Sequence, residues 1–144
     1  MMLPLHVLFL CTGNSARSIM AEAILNHYSG GRFHAYSAGS RPKGLVHPLA
    51  LETLQFHGIS IDGLRSKPLT EFLQANAPAI DYVVTVCSSA AKEACPLFPK
   101  KAIIEHWDLP DPAAVEGDIG KQKEAFQKIF DALHQRIFLY FLSR

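Results

Sequence analysis

The sequence is short of net charge, of long apolar runs and of cysteine, and each shortage excludes a class of protein. Its 14 lysines and arginines nearly balance 13 aspartates and glutamates, so the formal net charge of +1 gives no electrostatic reason to expect nucleic acid or an anionic membrane as a partner. The apolar run at residues 137–142 is far too short to span a bilayer. Three cysteines among 144 residues favour reactive thiols over structural disulfides in a reducing compartment.

The N-terminal segment MMLPLHVLFLC resembles a secretion or lipoprotein leader only superficially. It lacks a basic start, and the bulky Leu10 precedes Cys11 where a leader would have a small residue. We therefore expect it to form a first buried strand, in a protein of the cytoplasm. Nearly half of the residues (49%) are apolar and no segment is of low complexity, so we expect residues 1–144 to fold as a single domain.

Strand and helix patterns alternate along the chain. Strands are predicted at residues 7–10, 33–38, 81–87 and 102–106, and helices at 16–28, 48–57, 88–93 and 119–142. The alternation predicts an α/β fold, a doubly wound four-stranded parallel sheet with helices on both faces. Ligands of such sheets bind beyond the carboxyl ends of the strands, which is where Cys11, Cys87 and the segment after His106 are expected to lie.

The most informative segment is CTGNSARS at residues 11–18, which follows the first predicted strand and precedes the first predicted helix. Between Cys11 and Arg17 lie five small or turn-prone residues: Thr12, Gly13, Asn14, Ser15 and Ala16. The N–H groups of such a loop, with the helix N-terminus behind them, bind a tetrahedral oxyanion and favour the nucleophilic thiolate of Cys11. Arg17 can donate to two oxygens of the anion. The segment predicts an enzyme that attacks phosphate or a phosphate mimic through sulfur.

The same residues also fit two ordinary explanations. A lone cysteine at a strand end is commonly a buried structural residue, and Gly13 with Asn14 is a common turn pair. A bare match of Cys and Arg six residues apart would be weak evidence. Its place between a strand and a helix, together with the small residues inside it, favours the oxyanion loop.

A second chemical feature is Cys87, which ends the third predicted strand, followed eight residues later by Cys95. The two are either unrelated buried residues or a redox pair near Cys11. A zinc site is disfavoured because no further Cys or His follows in a ligand pattern. A continuous helix would hold the two sulfurs roughly 12 Å apart, whereas a disulfide needs Cα atoms within about 7 Å. A redox pair would therefore require this segment to unwind or loop out.

Two acids, Asp108 and Asp111, lie in the proline-rich segment HWDLPDP. Aspartates before proline are commonly turn formers. A thiolate that attacks an oxyanion, however, expels an oxygen that needs a proton, and a positioned carboxylic acid is its natural donor. Asp111, directly before Pro112, is the preferred acid, with Asp108 as the alternative. A phosphate-binding regulatory domain without catalysis would need neither this acid nor a thiol pair.

With these residues, the chain resembles the arsenate reductases built on the low-molecular-weight protein tyrosine phosphatase fold, which has a flavodoxin-like strand order. The resemblance covers nearly the whole length and rests on VLFLCTGNSARS at 7–18, MAE at 20–22, SAGS at 37–40, VVTVC at 83–87, CP at 95–96 and HWDLPDP at 106–112. Phosphatases of this fold share the loop and the Asp-Pro acid, but they usually carry Cys-Arg-Ser-Pro where this chain has ARSI at 16–19. They also need no second thiol pair. The departures favour the reductase, with hydrolysis of phosphomonoesters through a Cys11 phosphocysteine as the alternative.

The resemblance implies a mechanism. Cys11 attacks arsenate held by Arg17 and the N–H groups of residues 12–17, while Ser18 supports the thiolate and Asp111 protonates the leaving oxygen. Cys87 then attacks Cys11, which expels arsenite and leaves a Cys11–Cys87 disulfide. Cys95 attacks Cys87 in turn. The resulting Cys87–Cys95 disulfide moves outward and is reduced by thioredoxin, or by glutaredoxin with glutathione.

The chain departs from one feature of the family. Some relatives bind potassium beside the loop through positions like Asn14, Glu22 and Ser37, together with a Thr and an Asp further on. Those last two positions correspond to Arg65 and Lys67 here. We therefore expect no bound potassium, with the Lys67 ammonium in its place, and no other metal ion or organic cofactor.

Overall fold

The computed structural model describes residues 4–87 and 102–143. Within these residues, four parallel strands form one sheet: β1 at Leu5–Leu10, β2 at Phe33–Ala38, β3 at Tyr82–Thr85 and β4 at Ile103–His106. Their order across the sheet is β2-β1-β3-β4. The chain thus leaves β1 on one side for β2 and returns on the other side for β3. This reversal places a ligand crevice at the carboxyl ends of β1 and β3, as the sequence predicts.

In the described part of the chain, three α-helices accompany the sheet: α1 at Arg17–Tyr28, α2 at Pro48–Phe56 and α3 at Ile119–Ile137. Gly30 and Gly31 prevent α1 from continuing because both adopt left-handed backbone angles, with φ of 60° and 85°. The N-terminus of α3 is capped by Asp118, whose carboxylate accepts from the N–H of Lys121 at 2.9 Å. These helices confirm three predicted segments. The helix predicted at residues 88–93 lies outside the described residues.

The last helix differs from its prediction at its C-terminal end. Regular α-helix ends at Ile137, and a π-helical turn at Phe138–Leu142 follows. The wider turn keeps Phe141 in the core while Phe138 and Leu139 stay 52% and 63% exposed. The buried stripe of the helix consists of Phe126, Ile129, Phe130, Leu133, Ile137 and Phe141.

One hydrophobic cluster unites the strands and helices of the described residues. Residues 7–9 of β1 are fully buried, as expected for a central strand. Trp107, only 1% exposed, packs against Phe9 of β1 and Phe141 of the terminal turn. The first strand, the last turn and the segment leading to Asp111 therefore share one packing unit.

Among the helices of residues 4–87 and 102–143, none is long and apolar enough to cross a membrane.

Candidate active site

The carboxyl ends of β1 and β3 bring two predicted cysteines together. Leu10 stands opposite Thr85 in the sheet, and Leu10 accepts a hydrogen bond from the N–H of Val86 at 2.9 Å. Cys11 follows β1 directly and Cys87 follows β3 by two residues, both as buried thiols. The N–H of Thr12, the residue after Cys11, lies 3.4 Å from the Cys87 sulfur, and the nearby Cys87 thiol raises the pKa of Cys11. The structure therefore places a second sulfur in contact with the expected nucleophile.

The loop at residues 11–16 is held from outside by the segment at residues 39–47, which we call the strap. Three strap N–H groups donate to loop carbonyl oxygens. The pairs are Arg41 with Thr12 at 3.0 Å, Lys43 with Gly13 at 2.9 Å and His47 with Ser15 at 2.9 Å. Because these carbonyls point outward to the strap, the peptide N–H groups of the loop turn inward. The N–H of Gly13 accordingly hydrogen-bonds to the sulfur of Cys11.

Asn14 fixes the curvature of the loop. It is fully buried with φ of 43°, a left-handed conformation that asparagine tolerates better than most residues. Its side chain accepts from the N–H of Lys67 and donates to the Ser18 hydroxyl, both at 2.8 Å. Ser18 was expected to support Cys11, and the structure shows it supporting Asn14, and thereby the shape of the loop.

Gly39 allows the strap to lie against the loop. A Cβ atom at this position would come within 2.4 Å of the Thr12 carbonyl oxygen and 2.6 Å of the Cys11 carbonyl oxygen, so no other residue fits without moving the loop.

Arg17, the first residue of α1, connects the loop to the acid-bearing segment. Its guanidinium donates to the Leu109 carbonyl at 2.8 Å and lies 3.9 Å from a carboxylate oxygen of Asp111. The other carboxylate oxygen of Asp111 accepts from the N–H of Ala113 at 3.0 Å. Asp108 is exposed. Of the two predicted acids, Asp111 is therefore the one that the structure brings to Arg17.

Opposing influences act on the pKa of Cys11. The hydrogen bond with Cys87 raises the pKa of Cys11, and burial raises it further. The charge of Arg17 and the N–H of Gly13 lower the pKa of Cys11, but they do not overcome the first two effects. The loop and the helix N-terminus favour the thiolate of Cys11, and the neighbouring thiol opposes it.

Cys87 has a donor of its own. The N–H of Thr12 lies 3.4 Å from its sulfur and the Thr12 hydroxyl oxygen 3.7 Å. Thr12 was predicted to bind the oxyanion, yet its N–H is directed to Cys87 and not to the centre of the loop. An N–H donor favours negative charge on the sulfur that it contacts. Cys95 lies outside the described residues, so its pairing with Cys87 stays a prediction.

A buried charge pair lies behind the loop. The Lys67 ammonium is 3.7 Å from a Glu22 carboxylate oxygen and donates to the Arg65 carbonyl at 3.0 Å. The same Glu22 oxygen accepts from the Ser37 hydroxyl at 2.6 Å. Burial raises the pKa of Glu22 and lowers the pKa of Lys67, and in each case the partner's charge opposes the shift. The residues here do not fit a potassium ion, because a positive charge of the chain already lies beside Glu22.

Some parts of the site were missed by the sequence analysis. The sequence analysis made no prediction about the strap or about the Leu109 carbonyl that receives Arg17. The one available signal was Gly39 directly after a strand, since such a glycine often marks close backbone approach. In the part of the chain that the structure describes, no cluster of three or more His, Cys, Asp or Glu side chains could hold a metal ion.

Comparison with known proteins gives a consistent set of relatives. The sequence profile of the low molecular weight phosphotyrosine protein phosphatases matches residues 6–141. An arsenate reductase of Shouchella clausii is 40% identical over 131 residues, which is 91% of each chain. The solved thioredoxin-dependent arsenate reductase of Corynebacterium glutamicum superposes with a TM-score of 0.68 at 30% identity, over 98% of this chain and 64% of that one. An arsenate reductase solved in its phosphate-binding state has a TM-score of 0.78 at 28% identity, over 96% and 98% of the two chains.

Proposed function

The chain belongs to the low molecular weight phosphotyrosine protein phosphatase family. We propose that its oxyanion loop binds arsenate and that the protein reduces arsenate to arsenite. The observation that carries the proposal is the second buried thiol beside Cys11: the Cys87 sulfur lies 3.4 Å from the N–H of Thr12, the residue after Cys11. Hydrolysis of a phosphoester needs a single thiol in the oxyanion loop. Reduction of arsenate needs two electrons, and two thiols in contact supply them by forming a disulfide.

In the first step, the Cys11 sulfur attacks arsenic while Arg17 and the inward N–H groups of the loop hold the arsenate oxygens. A sulfur–arsenic bond forms, an arsenic–oxygen bond breaks, and the departing oxygen takes a proton from Asp111 and leaves as water. The raised pKa of Cys11 means that its own proton must also be removed. The bound arsenate dianion accepts that proton, so substrate binding and activation of the nucleophile occur together.

In the second step, the Cys87 sulfur attacks the Cys11 sulfur. The electron pair of the sulfur–arsenic bond passes to arsenic, which is reduced from As(V) to As(III) and leaves as arsenite. The two sulfurs are oxidised to a Cys11–Cys87 disulfide. The donors of Thr12 beside Cys87 support this step because they stabilise the attacking thiolate.

Recovery of the enzyme needs an external dithiol. Within the chain, Cys95 attacks Cys87 and leaves a Cys87–Cys95 disulfide, and we assign the external dithiol that reduces it to thioredoxin. The Corynebacterium glutamicum relative is described as thioredoxin-dependent. Such a cycle requires a reducing compartment, which in a bacterial-type cell is the cytoplasm.

A second candidate function is hydrolysis of phosphomonoesters. The observation that favours it is a cleft of about 450 Å³ beside Asp111, lined by Pro110, Pro112, Val115 and Ile129 and by the side chains of α3. Arsenate has no organic group to fill such a cleft, whereas the leaving group of an ester would lie next to the acid that must protonate it. Hydrolysis of an aryl phosphate would need Cys11 and Asp111 but not Cys87.

The decisive test is arsenate-dependent NADPH oxidation in the presence of thioredoxin and its reductase. The unaltered chain should turn over, whereas Cys87→Ser and Cys95→Ser should not. Normal turnover by both variants would refute the relay. Aryl phosphate hydrolysis measured on the same samples separates the two functions, because Cys87→Ser should retain it.

The acid is tested by a matched pair of substitutions. Asp111→Asn should lower kcat by about a hundredfold or more, the range usual for loss of a general acid. Asp108→Asn, an identical change on the same segment, should leave kcat nearly unaltered. A larger loss in Asp108→Asn would reverse the assignment.

A further inference from the structure

The strap carries a lysine whose side chain lies on the oxyanion loop but has no part in the proposed mechanism. The N–H of Lys43 donates to the Gly13 carbonyl at 2.9 Å, which anchors the residue beside the loop. The side chain then runs along the same glycine, because a Cβ atom at Gly13 would come within 3.3 Å of the Lys43 Cε and 3.5 Å of its Cγ. The ammonium, one bond beyond Cε, therefore lies next to Gly13, whose N–H faces the sulfur of Cys11.

The charge of this ammonium is not neutralised by a neighbouring acid. The side chain of Lys43 is exposed. Among residues 4–87 and 102–143, no carboxylate lies within ion-pair distance of it. Other cations of the site and its surroundings each have such a partner: Arg17 with Asp111, Lys67 with Glu22, and Arg65 with Glu71. Lys43 can thus offer its full charge to an anion that arrives from solvent.

The charge of Lys43 also acts within the site. Burial lowers the pKa of His47, and the Lys43 ammonium lowers it further, against the charge of Asp111. The N–H of His47 donates to the Ser15 carbonyl at the far end of the loop. The ammonium and the acid therefore both lie near the same imidazole, at the opening of the loop.

We propose that Lys43 determines the specificity of the loop for doubly charged anions, with its ammonium binding an oxygen of the tetrahedral dianion from the Gly13 side. That the dianion is arsenate rests on the proposed function, whereas the contact itself requires only two negative charges on a tetrahedral group. Arg17 brings one positive charge, which it already shares with Asp111 at 3.9 Å, and Lys43 brings a second. A dianion is attracted by the second charge more strongly than a monoanion of the same shape.

The arrangement allows this charge to be removed without disturbing the loop. Lys43 holds Gly13 through its main-chain N–H, which every substitution except proline retains. Lys43→Met keeps an unbranched side chain to cover Gly13 and loses only the ammonium. Lys43→Arg keeps the charge.

The experiment is calorimetric titration of the reduced chain with inorganic phosphate, which measures anion binding without turnover. Lys43→Met should raise Kd about tenfold, as expected for loss of a hydrogen bond to a charged group, and Lys43→Arg should restore most of the affinity. Lys123→Met is the matched control, because it removes the same charge from α3, where Lys123 pairs with the exposed Glu52 at 3.2 Å. Its Kd should change by less than about twofold at physiological ionic strength.

Two further readouts separate a substrate contact from a general effect on the fold. The ratio of sulfate affinity to perchlorate affinity compares a tetrahedral dianion with a tetrahedral monoanion, and it should fall in Lys43→Met. In arsenate turnover, Lys43→Met should raise KM while kcat stays within about twofold, because the ammonium binds the anion before and during the reaction alike. Thermal unfolding of each variant establishes that it is folded.

Either of two results would overturn the proposal: equal phosphate affinities in Lys43→Met and Lys123→Met, or an unchanged ratio of sulfate to perchlorate affinity in Lys43→Met. The outcome is separable from arsenate reduction. A chain that binds phosphate through Lys43 but does not reduce arsenate refutes only the proposed function. A chain that reduces arsenate and binds phosphate equally well without the ammonium refutes only the contact with Lys43.

Discussion

At the scale of single residues, Cys11 and Cys87 differ in what surrounds them more than in burial. Cys11 lies beside the N–H of Gly13 and the charge of Arg17, whereas Cys87 accepts from the N–H of Thr12. The neighbouring Cys87 thiol also raises the pKa of Cys11. The structure thus places a second thiol beside the nucleophile, where the resemblance to the reductases implies one.

Removing Cys87 should make Cys11 more acidic. The hydrogen bond with Cys87 is the largest cause of the raised pKa of Cys11, so Cys87→Ala should shift the pH dependence of Cys11 alkylation by iodoacetamide to lower pH. Peptide mass analysis assigns the modified cysteine at each pH. Cys95→Ser serves as the control and should leave the profile of Cys11 unaltered. An unshifted profile in Cys87→Ala would contradict the hydrogen bond between the two sulfurs.

The buried pair of Glu22 and Lys67 should matter more than a shorter pair at the surface. Lys67→Met leaves Glu22 buried without its cation and should lower the free energy of unfolding by about 3 kcal/mol. Arg65→Met breaks a 2.6 Å ion pair with Glu71, but both partners are exposed, so the loss should stay below about 1 kcal/mol. Urea unfolding measures both.

A related measurement tests the role of the Lys67 ammonium. Replacing sodium chloride by potassium chloride at equal ionic strength should leave kcat/KM of the unaltered chain unchanged, since the ammonium already lies beside Glu22. A steep rise with potassium would show that a cation site exists despite Lys67.

At the scale of elements, the N-terminus of α2 is tied to the oxyanion loop through one residue. The N–H of His47 donates to the Ser15 carbonyl, and the Nδ1 atom of His47 accepts from the N–H of Leu49 at 3.1 Å and so caps the helix. The imidazole also packs against Phe126 of α3 at 4.7 Å between ring centroids. One side chain therefore contributes to the helix start and the helix packing, while its backbone holds the loop.

The stability that the His47 cap contributes should depend on pH. Burial lowers the pKa of His47 below its usual 6.5, and Lys43 lowers it further, against the charge of Asp111. Because the folded-state pKa is depressed, the contribution of the cap is complete above that usual value and is lost as the pH falls through the lowered value. At pH 8, His47→Ala should lower the free energy of unfolding by about 1 kcal/mol more than His47→Asn, since asparagine also caps helices.

Thermal unfolding at a series of pH values checks this prediction. Both variants lose the imidazole ring, so the difference between them isolates the cap. The stability of the unaltered chain relative to His47→Asn should fall on acidification. A difference that is constant with pH would contradict the role of Nδ1.

The sequence predicted those elements whose signals are local. The apolar run of β1, the glycines after α1 and the stripe of α3 each depend on neighbours in the chain, and each was located to within a few residues. The strap, the Thr12 contact with Cys87 and the raised pKa of Cys11 depend on residues that lie far apart in sequence and meet only through the sheet order. The π-helical turn could not be predicted, because the apolar pattern of residues 138–142 fits a continuing α-helix equally well.

At the scale of the whole molecule, the site joins segments from almost the full length of the described chain. Arg17 and Leu109 are hydrogen-bonded across 92 residues, and Thr12 and Cys87 across 75. An anion bound in the loop would be held by Arg17. Because Arg17 also bonds to Leu109, the anion would stabilise the contact between the N-terminal and C-terminal parts of the fold. Binding of that kind stabilises the folded state by mass action.

Phosphate should raise the melting temperature of the chain. At a concentration a hundred times its dissociation constant, a ligand specific to the folded state adds about 2.7 kcal/mol to the free energy of unfolding. Arg17→Ala should abolish most of this gain, whereas Arg136→Ala, at an exposed position of α3, should retain it. Scanning calorimetry with phosphate or chloride at matched ionic strength measures the difference. Equal gains in both variants would exclude Arg17 from anion binding.

The three hydrogen bonds from the strap to the loop come from main-chain N–H groups. The conformation of the loop therefore does not depend on which side chains the strap carries at these donors. Exchanging the side chains of Arg41 or Lys43 leaves the three donors to the loop intact, whereas proline at either position would delete one. The chain's own Pro42 stands between two donors, where no N–H is required. Substitution of the strap side chains can thus change the charge and size of the residues around the loop, while the backbone conformation of the loop is retained.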